Sequence, residues 1–353
     1  MLVTTDREVT FLAVSRLMAG LTLAYGIANW ANSEGRWRLL ALGMVVIGIG
    51  VASLIPFTME WQAGPLNPIP RSWYNRLPRL LSDPLNPNMV AGSLVMLLPF
   101  PLVLMWQRRR WPSSIPLLPM FLARWLKLYF VRLLLASVAL ALMLLMVAMT
   151  QSRGGWIAAA LVLFISFAFR FPWLWGSVPL SGLELWWMAN QGRLAPLLDA
   201  LGTGGAVVGW EERVEIWSRA LYIIQDFPFT GIGAGTYYDV VSLLYPLFLI
   251  SPDSVIPHAH NLLLEVAVDV GIPGLVAFVA ILIIACFSGL RNIYGTTREH
   301  RIAAILSEAA LASLAGMLAH GMVDATSWII GWGALLPWAM IGILIGVDRV
   351  GRP

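Results

Sequence analysis

Residues 256–290 read IPHAHNLLLEVAVDVGIPGLVAFVAILIIACFSGL. From Leu262 to Leu290 the run is apolar except for Glu265 and Asp269. As a helix it is long enough to cross the ~30 Å hydrocarbon layer of a bilayer. His258, His260 and Asn261 stand at its mouth, where ionisable groups are costly and so usually functional. Glu265 and Asp269 are four residues apart and share a helix face. They suit either a proton path or a face turned toward an external cavity, and the sequence leaves both open.

The rest of the chain is of the same kind. Its 353 residues are 59% hydrophobic and 12% charged, with a mean hydropathy of +0.76. A soluble domain carries roughly a quarter charged residues. The expectation is therefore an all-α polytopic membrane protein of about nine spans. They are placed at residues 10–30, 39–57, 89–106, 131–149, 156–169, 171–189, 262–290, 302–323 and 328–347. The stretch 171–189 is the weakest, because it holds Glu184, Pro172 and Pro179. Seventeen Trp suit interfacial belts. The net charge of +4 records orientation rather than nucleic-acid binding. Cys286 is the sole cysteine, which excludes an internal disulfide and a cysteine-based zinc site. There is no His-Glu-x-x-His and no Asp-x-Asp on an external loop, so neither a metal nor another cofactor is expected. Residues 4–10 are polar, unlike a cleavable leader.

Basic residues set the orientation. Arg108, Arg109, Arg110, Arg124, Lys127 and Arg132 form one cluster, Arg291, Arg298 and Arg301 a second, and Arg349 with Arg352 a third. With all three cytoplasmic, the long segment 190–260 lies outside, as does the hairpin 151–155. An even number of crossings must join these two, so 156–169 and 171–189 must both span. The same parity puts the first residues outside.

The outer side then collects the chemistry. Arg153 occupies a short hairpin, Ser152-Arg153-Gly154-Gly155. A guanidinium at headgroup depth can fork onto phosphate oxygens, or it can simply snorkel. Residues 210–226 carry Val214, Trp217, Leu221 and Ile224 at helical spacing, which predicts an amphipathic surface helix stopped by Pro228. Glu215 and Arg219 should pair on its wet face, with Arg213 beside the apolar stripe. Gly231, Gly233 and Gly235 lack the spacing and context of a nucleotide loop. They read as a turn near the site whose N–H groups could meet an anion. His320 and Asp324 share a face at the outer end of a span. Asn86-Pro87-Asn88 suits a helix cap, with substrate contact by Asn88 the other reading. Asn261 reads as the cap of the span that follows it, and His258 as a loop residue.

His260-Asn261, nine residues, then Gly271-Ile272-Pro273-Gly274 resembles the signature of the O-antigen ligase and polymerase superfamily of bacterial membrane glycosyltransferases. Ser152-Arg153-Gly154-Gly155 resembles that family's first essential arginine. Arg213, Trp217 and Ala220 followed by Asp226-x-Pro228-x-x-Gly231-x-Gly233-x-Gly235 are similar to its external loop, and Asn88 has a counterpart at a similar place. Thr5-Asp6-Arg7-Glu8 looks like an external loop that other members precede with further spans, so the resemblance implies an N-terminally shortened member.

The resemblance also implies a GT-C-like architecture, with N-terminal transmembrane helices over 1–150 and an O-antigen ligase-related domain over 151–353 that includes the loop 190–260. Its implied donor is a glycan on a polyprenyl (undecaprenyl) pyrophosphate. The acceptor is a lipid, glycan or protein hydroxyl, reached on the extracytoplasmic face of the inner membrane. Arg153 and Arg213 would hold the leaving group and His260 would serve as base. Asn261, His320, Asp324 and Asn88 would bind substrate, without a metal. Chain polymerase and protein O-oligosaccharyltransferase fit the same motifs. A flippase for the lipid-linked glycan is the rival class, but it would need charges spread through several spans.

Overall fold

A computed structural model describes residues 3–59, 76–107, 119, 122, 124, 125, 128–193, 209–251, 254–295, 301–329 and 331–350, with the backbone alone for Trp332, Arg349 and Val350. Arg108, Arg109, Arg110, Lys127, Arg298 and Arg352 of the basic clusters lie outside these residues.

The described residues contain no strand, only an isolated bridge between Met59 and Leu85. The helices in order are α1 (Arg7–Trp30), α2 (Glu34–Thr58), α3 (Pro87–Leu97), α4 (Pro99–Trp106), α5 (Tyr129–Met149) and α6 (Arg153–Arg170). They continue with α7 (Ser177–Asn190), α8 (Trp210–Asp226), α9 (Tyr237–Leu244), α10 (Leu262–Gly295), α11 (Arg301–Gly321) and α12 (Leu336–Val350). Among the described residues, seven helical stretches are long and apolar enough to cross a membrane: α1, α2, the continuous α3–α4 run, α5, α6, α10 and α11. The chain is thus a polytopic helical membrane protein.

Burial sorts these helices. In α3 every residue from Met89 to Leu97 is buried, and most of α11 is too. A helix apolar all round belongs in the centre of a bundle, and these two form its axis. In α1 and α5 the exposed residues are large and apolar, such as Phe11, Leu12, Leu134 and Val138, as suits contact with lipid. α1 packs on α12 through small residues: a Cβ on Gly342 would meet the backbone of Ala24, and one on Gly346 that of Ala28. Such close approach of backbones drives helix association where lipid removes the hydrophobic incentive.

Two expected spans take other forms. Residues 328–347 resolve into a 3-10 turn, Trp332–Leu335, and the 15-residue α12. Residues 171–189 resolve into a 3-10 turn, Pro172–Gly176, and the 14-residue α7, neither with a buried residue. The two proline-bearing pieces together reach ~30 Å. Arg170, at the far end of α6, pairs with Glu308 of α11 at 2.5 Å. Arg153, at the near end, lies close enough to Arg213 to repel it. The chain therefore returns from one end of the bundle to the other between Arg170 and Trp210.

The expected span 262–290 is broken at the Gly-Ile-Pro-Gly stretch. Gly271 has φ 73° and ψ 177°, a non-helical geometry that breaks α10 into two arms and that an L side chain would resist. Leu263 of the first arm lines the same cavity as Val279, Leu282 and Ile283 of the second. A straight helix would hold Leu263 and Leu282 ~28 Å apart. The arms thus fold back on one another, and the second alone crosses the bundle.

The apex of that hairpin carries a lobe outside the bundle. α8 forms over the range its periodicity indicates, but it turns a different face inward. Ile216, Ala220 and Ile223 are buried against Tyr237, Val240, Val241, Ile256, Ala259 and Val268. Trp217 and Ile224 only flank this core, and Val214 and Leu221 are exposed. Glu215 and Arg219 do pair, at 3.5 Å, but not on a wet face. The Glu215 carboxylate accepts from the N–H groups of Phe248 and Leu249, and Arg219 donates to the Pro246 carbonyl. The pair fixes the returning loop.

Candidate functional site

Four chain segments converge where the lobe meets the bundle. The first is the start of α6. Ser152 caps it by accepting from the Gly155 N–H at 3.1 Å, which places Arg153 on its first turn. A helix N-terminus carries partial positive charge, so the arginine and the backbone act with one sign. The second is the first turn of α8, which supplies Arg213. Its guanidinium is disfavoured by burial, held by the attraction of Asp324 and opposed by Arg153, with a net lowering of its pKa. Its Nε is buried and has no hydrogen-bond partner.

The third segment is the loop 256–261. Asn261 caps α10, accepting from the N–H groups of Leu263 and Leu264 at 3.1 Å, while its amide donates to the Met322 carbonyl at 3.2 Å. This is the capping role its sequence position suggests. His260 sits at φ 48°, a left-handed conformation that is uncommon outside glycine. His258 is 2% exposed, and its ring lies 4.4 Å from that of His260.

The fourth segment is the end of α11 and the turn after it. The helix stops at Gly321, so Asp324 lies beyond it rather than on a shared helical face with His320. The carboxylate nevertheless reaches the cluster. Its Oδ1 is 3.6 Å from His258 Nε2 and its Oδ2 is 4.0 Å from His260 Nδ1. Thr326 donates its N–H to Oδ1 at 3.2 Å. Both His260 Nδ1 and Asp324 Oδ2 are buried without a hydrogen-bond partner. His320 is wedged where Gly92 and Gly154 leave room: a Cβ on Gly92 would stand 3.0 Å from His320 Nδ1, and one on Gly154 3.6 Å from its Cδ2. Asn88, half-buried, precedes Gly92 by one turn and shares its face.

The electrostatics follow from burial. It pushes the His260 pKa down, His258 and Arg213 push the same way and Asp324 opposes them, leaving it at about 3. His258 is lowered too, first by burial. Burial would raise the Asp324 pKa, but the three surrounding histidines and the Thr326 N–H outweigh it and hold the group low. The site therefore rests with one carboxylate, neutral imidazoles and two guanidiniums, a net positive pocket suited to an anion. The donor atoms of His258, His260 and Asp324 also lie within 4.8 Å of one another, a spacing a small cation could bridge.

The fold thus gathers Arg153, Arg213, His260, Asn261, His320 and Asp324 at one end of the bundle, with Asn88 beside them. His258, read from the sequence as a loop residue, is in a loop but buried in this cluster. Its spacing from His260, one residue apart before an apolar run, was the available signal.

Three glycines fall outside the cluster. Gly231, Gly233 and Gly235 all have positive φ, but their turn does not offer its N–H groups to an anion. Gly231 N–H donates to the Phe227 carbonyl, Ile232 N–H to the Val268 carbonyl, Gly233 N–H to the Asp269 carbonyl and Gly235 N–H to the Asp269 carboxylate. Asp269 also accepts from Trp328 Nε1 at 3.0 Å. It is a brace between lobe and bundle, and no proton path is needed to account for it.

Residues 138–279 match a family model described as O-antigen ligase. A search of curated proteins found no match. The matched stretch contains Arg153, Arg213, His258, His260 and Asn261, while Asn88, His320 and Asp324 reach the site from outside it. The family is the one that the His-Asn and Ser-Arg motifs resemble.

Proposed function

We propose, on the premise that residues 138–279 are the O-antigen ligase-type segment of a multi-pass membrane glycosyltransferase, that this chain transfers a glycan from an undecaprenyl-pyrophosphate carrier to an acceptor hydroxyl. The reaction takes place on the extracytoplasmic face of the bacterial inner membrane. The observation that carries this reading is the meeting of Arg213, with Arg153 near it, and an unpartnered histidine nitrogen at one buried carboxylate. Arg153 and Arg213 grip the diphosphate, whose charge grows as the bond from the anomeric carbon to oxygen breaks. The acceptor oxygen forms the new bond to that carbon and gives its proton to His260 Nδ1. Asp324, 4.0 Å away, then faces an imidazolium and stabilises it. Asn88, Asn261 and His320 line the acceptor side.

The two guanidiniums supply the positive charge that a metal would otherwise provide, so the transfer is metal-independent. The purified protein in lipid nanodiscs, given a polyprenyl-pyrophosphate glycan and a hydroxyl acceptor, should form product at an unchanged rate in excess EDTA. A rate abolished by EDTA and restored by a divalent cation would place an ion between His258, His260 and Asp324 and displace this mechanism. Absence of product with any hydroxyl acceptor would defeat the reading altogether.

The pH dependence follows from the burial of His260. A base must be unprotonated. A conjugate acid held at about 3, against the usual 6.5, leaves the imidazole free throughout the neutral range. Because kcat/KM reports the free enzyme, it should stay level as pH falls from about 8 to about 5, where an exposed histidine would already have lost most activity. An acid limb centred near 6.5 would show that water reaches His260 in the working enzyme.

A further inference from the structure

We infer that Glu265 is the positioning residue that fixes His260, a role that rests on His260 being the base. Glu265 lies one turn into α10 and is wholly buried. Its Oε2 accepts the N–H of Ala259 at 2.6 Å, the residue immediately before His260. The arrangement is a capping box reaching further back: Asn261 caps the helix from in front while Glu265 pulls the preceding strand of chain down onto it.

The loop needs such a hold. His260 is one of two non-glycine residues with positive φ among those described, and a left-handed backbone is unfavourable for a residue with a side chain. The other restraints on it are longer: His260 N–H to His258 Nδ1 at 3.2 Å, and Trp217 Nε1 to the His260 carbonyl at 3.4 Å. Each tethers His260 to a residue of the loop or lobe. Glu265 and Asn261 anchor the loop to the helix itself, and Asn261 acts only after His260. Glu265 therefore sets the approach of the chain to His260, and with it the direction of the ring toward Asp324.

The carboxylate satisfies the buried Ala259 N–H, but only one of its two oxygens is used. Its Oε1 is buried without a hydrogen-bond partner, and a buried polar atom left so is unfavourable. An apolar side chain of the same volume would fill the space without that penalty. What it would lack is the acceptor for Ala259.

The test uses the full-length protein in nanodiscs, with an undecaprenyl-pyrophosphate glycan as donor. Glu265→Gln keeps an acceptor oxygen, and Glu265→Leu fills the space without one. Glu265→Leu should lower kcat about 100-fold, with the donor KM within about 2-fold, because a small misplacement of a reacting group suffices for that loss. Glu265→Gln should retain activity within about 5-fold. Amide hydrogen exchange at residues 259–261 should quicken in Glu265→Leu and return to the wild-type rate in Glu265→Gln. If Glu265→Leu does not fold, Glu265→Met takes its place. A kcat untouched by the apolar variants, or a Gln variant as impaired as Leu, overturns the inference. If the wild-type protein transfers no glycan, the function reading falls, and exchange at 259–261 still decides whether Glu265 holds the loop.

Discussion

Replacement of His260 by alanine should lower glycan transfer by about 10³-fold, within the range typical of a lost general base. The expectation rests on three features of one residue. Its Nδ1 is buried and unpartnered. Burial, more than any other influence, keeps the ring neutral. Asp324 stands ready for the charge that proton uptake creates. The donor should still bind, since Arg153 and Arg213, the groups proposed to meet the diphosphate, remain, so the loss falls on kcat. In cells the lipid-linked donor should accumulate on the face of the membrane that carries the site. Accumulation on the opposite face would point to a flippase instead, and a His260→Ala enzyme within about 10-fold of wild type would remove His260 from the proton transfer.

Loss of Arg213 should be nearly as severe, about 10² to 10³-fold, but with a different signature. Arg213 is brought into partly dry surroundings where Asp324 attracts it and Arg153 repels it, and a bound anion would add to the attraction. Its buried Nε has no hydrogen-bond partner. Arg213→Ala should therefore raise the donor Kd as well as lower kcat. Arg213→Lys should recover charge but not the planar fork, leaving a deficit of about 10-fold or more. Binding of inorganic pyrophosphate, followed calorimetrically, separates this role from a structural one. Unchanged affinity in Arg213→Ala would show that the guanidinium does not touch the diphosphate.

Much of this was legible in the sequence for a simple reason. Spans announce themselves through length and hydropathy, and α8 through its period and Pro228, because both depend on local composition. Asn261 could be read as a cap because capping is settled within three residues. What escaped depends on partners far along the chain. The inward face of α8 is chosen by Tyr237, Val241 and Ile256, so a stripe judged from the helix alone came out rotated. The reversal at Gly271 looks like an ordinary Gly-Ile-Pro-Gly interruption until Leu263 is found beside Leu282. His258 seemed a bystander because the carboxylate that faces it is 66 residues away, at Asp324.

The double attachment of the lobe has a bearing on how substrates come and go. The glycine turn is laced to the first arm of α10 through Val268 and Asp269. Thr10 of α1 donates to the Ala234 carbonyl at 3.2 Å, and Asp269 also grips Trp328. With its base stitched to both α1 and the first arm of α10, this cap is no hinged door. On the function proposed above, a lipid-linked donor would enter sideways from the surrounding lipid, and its freed carrier would leave by the same lateral route.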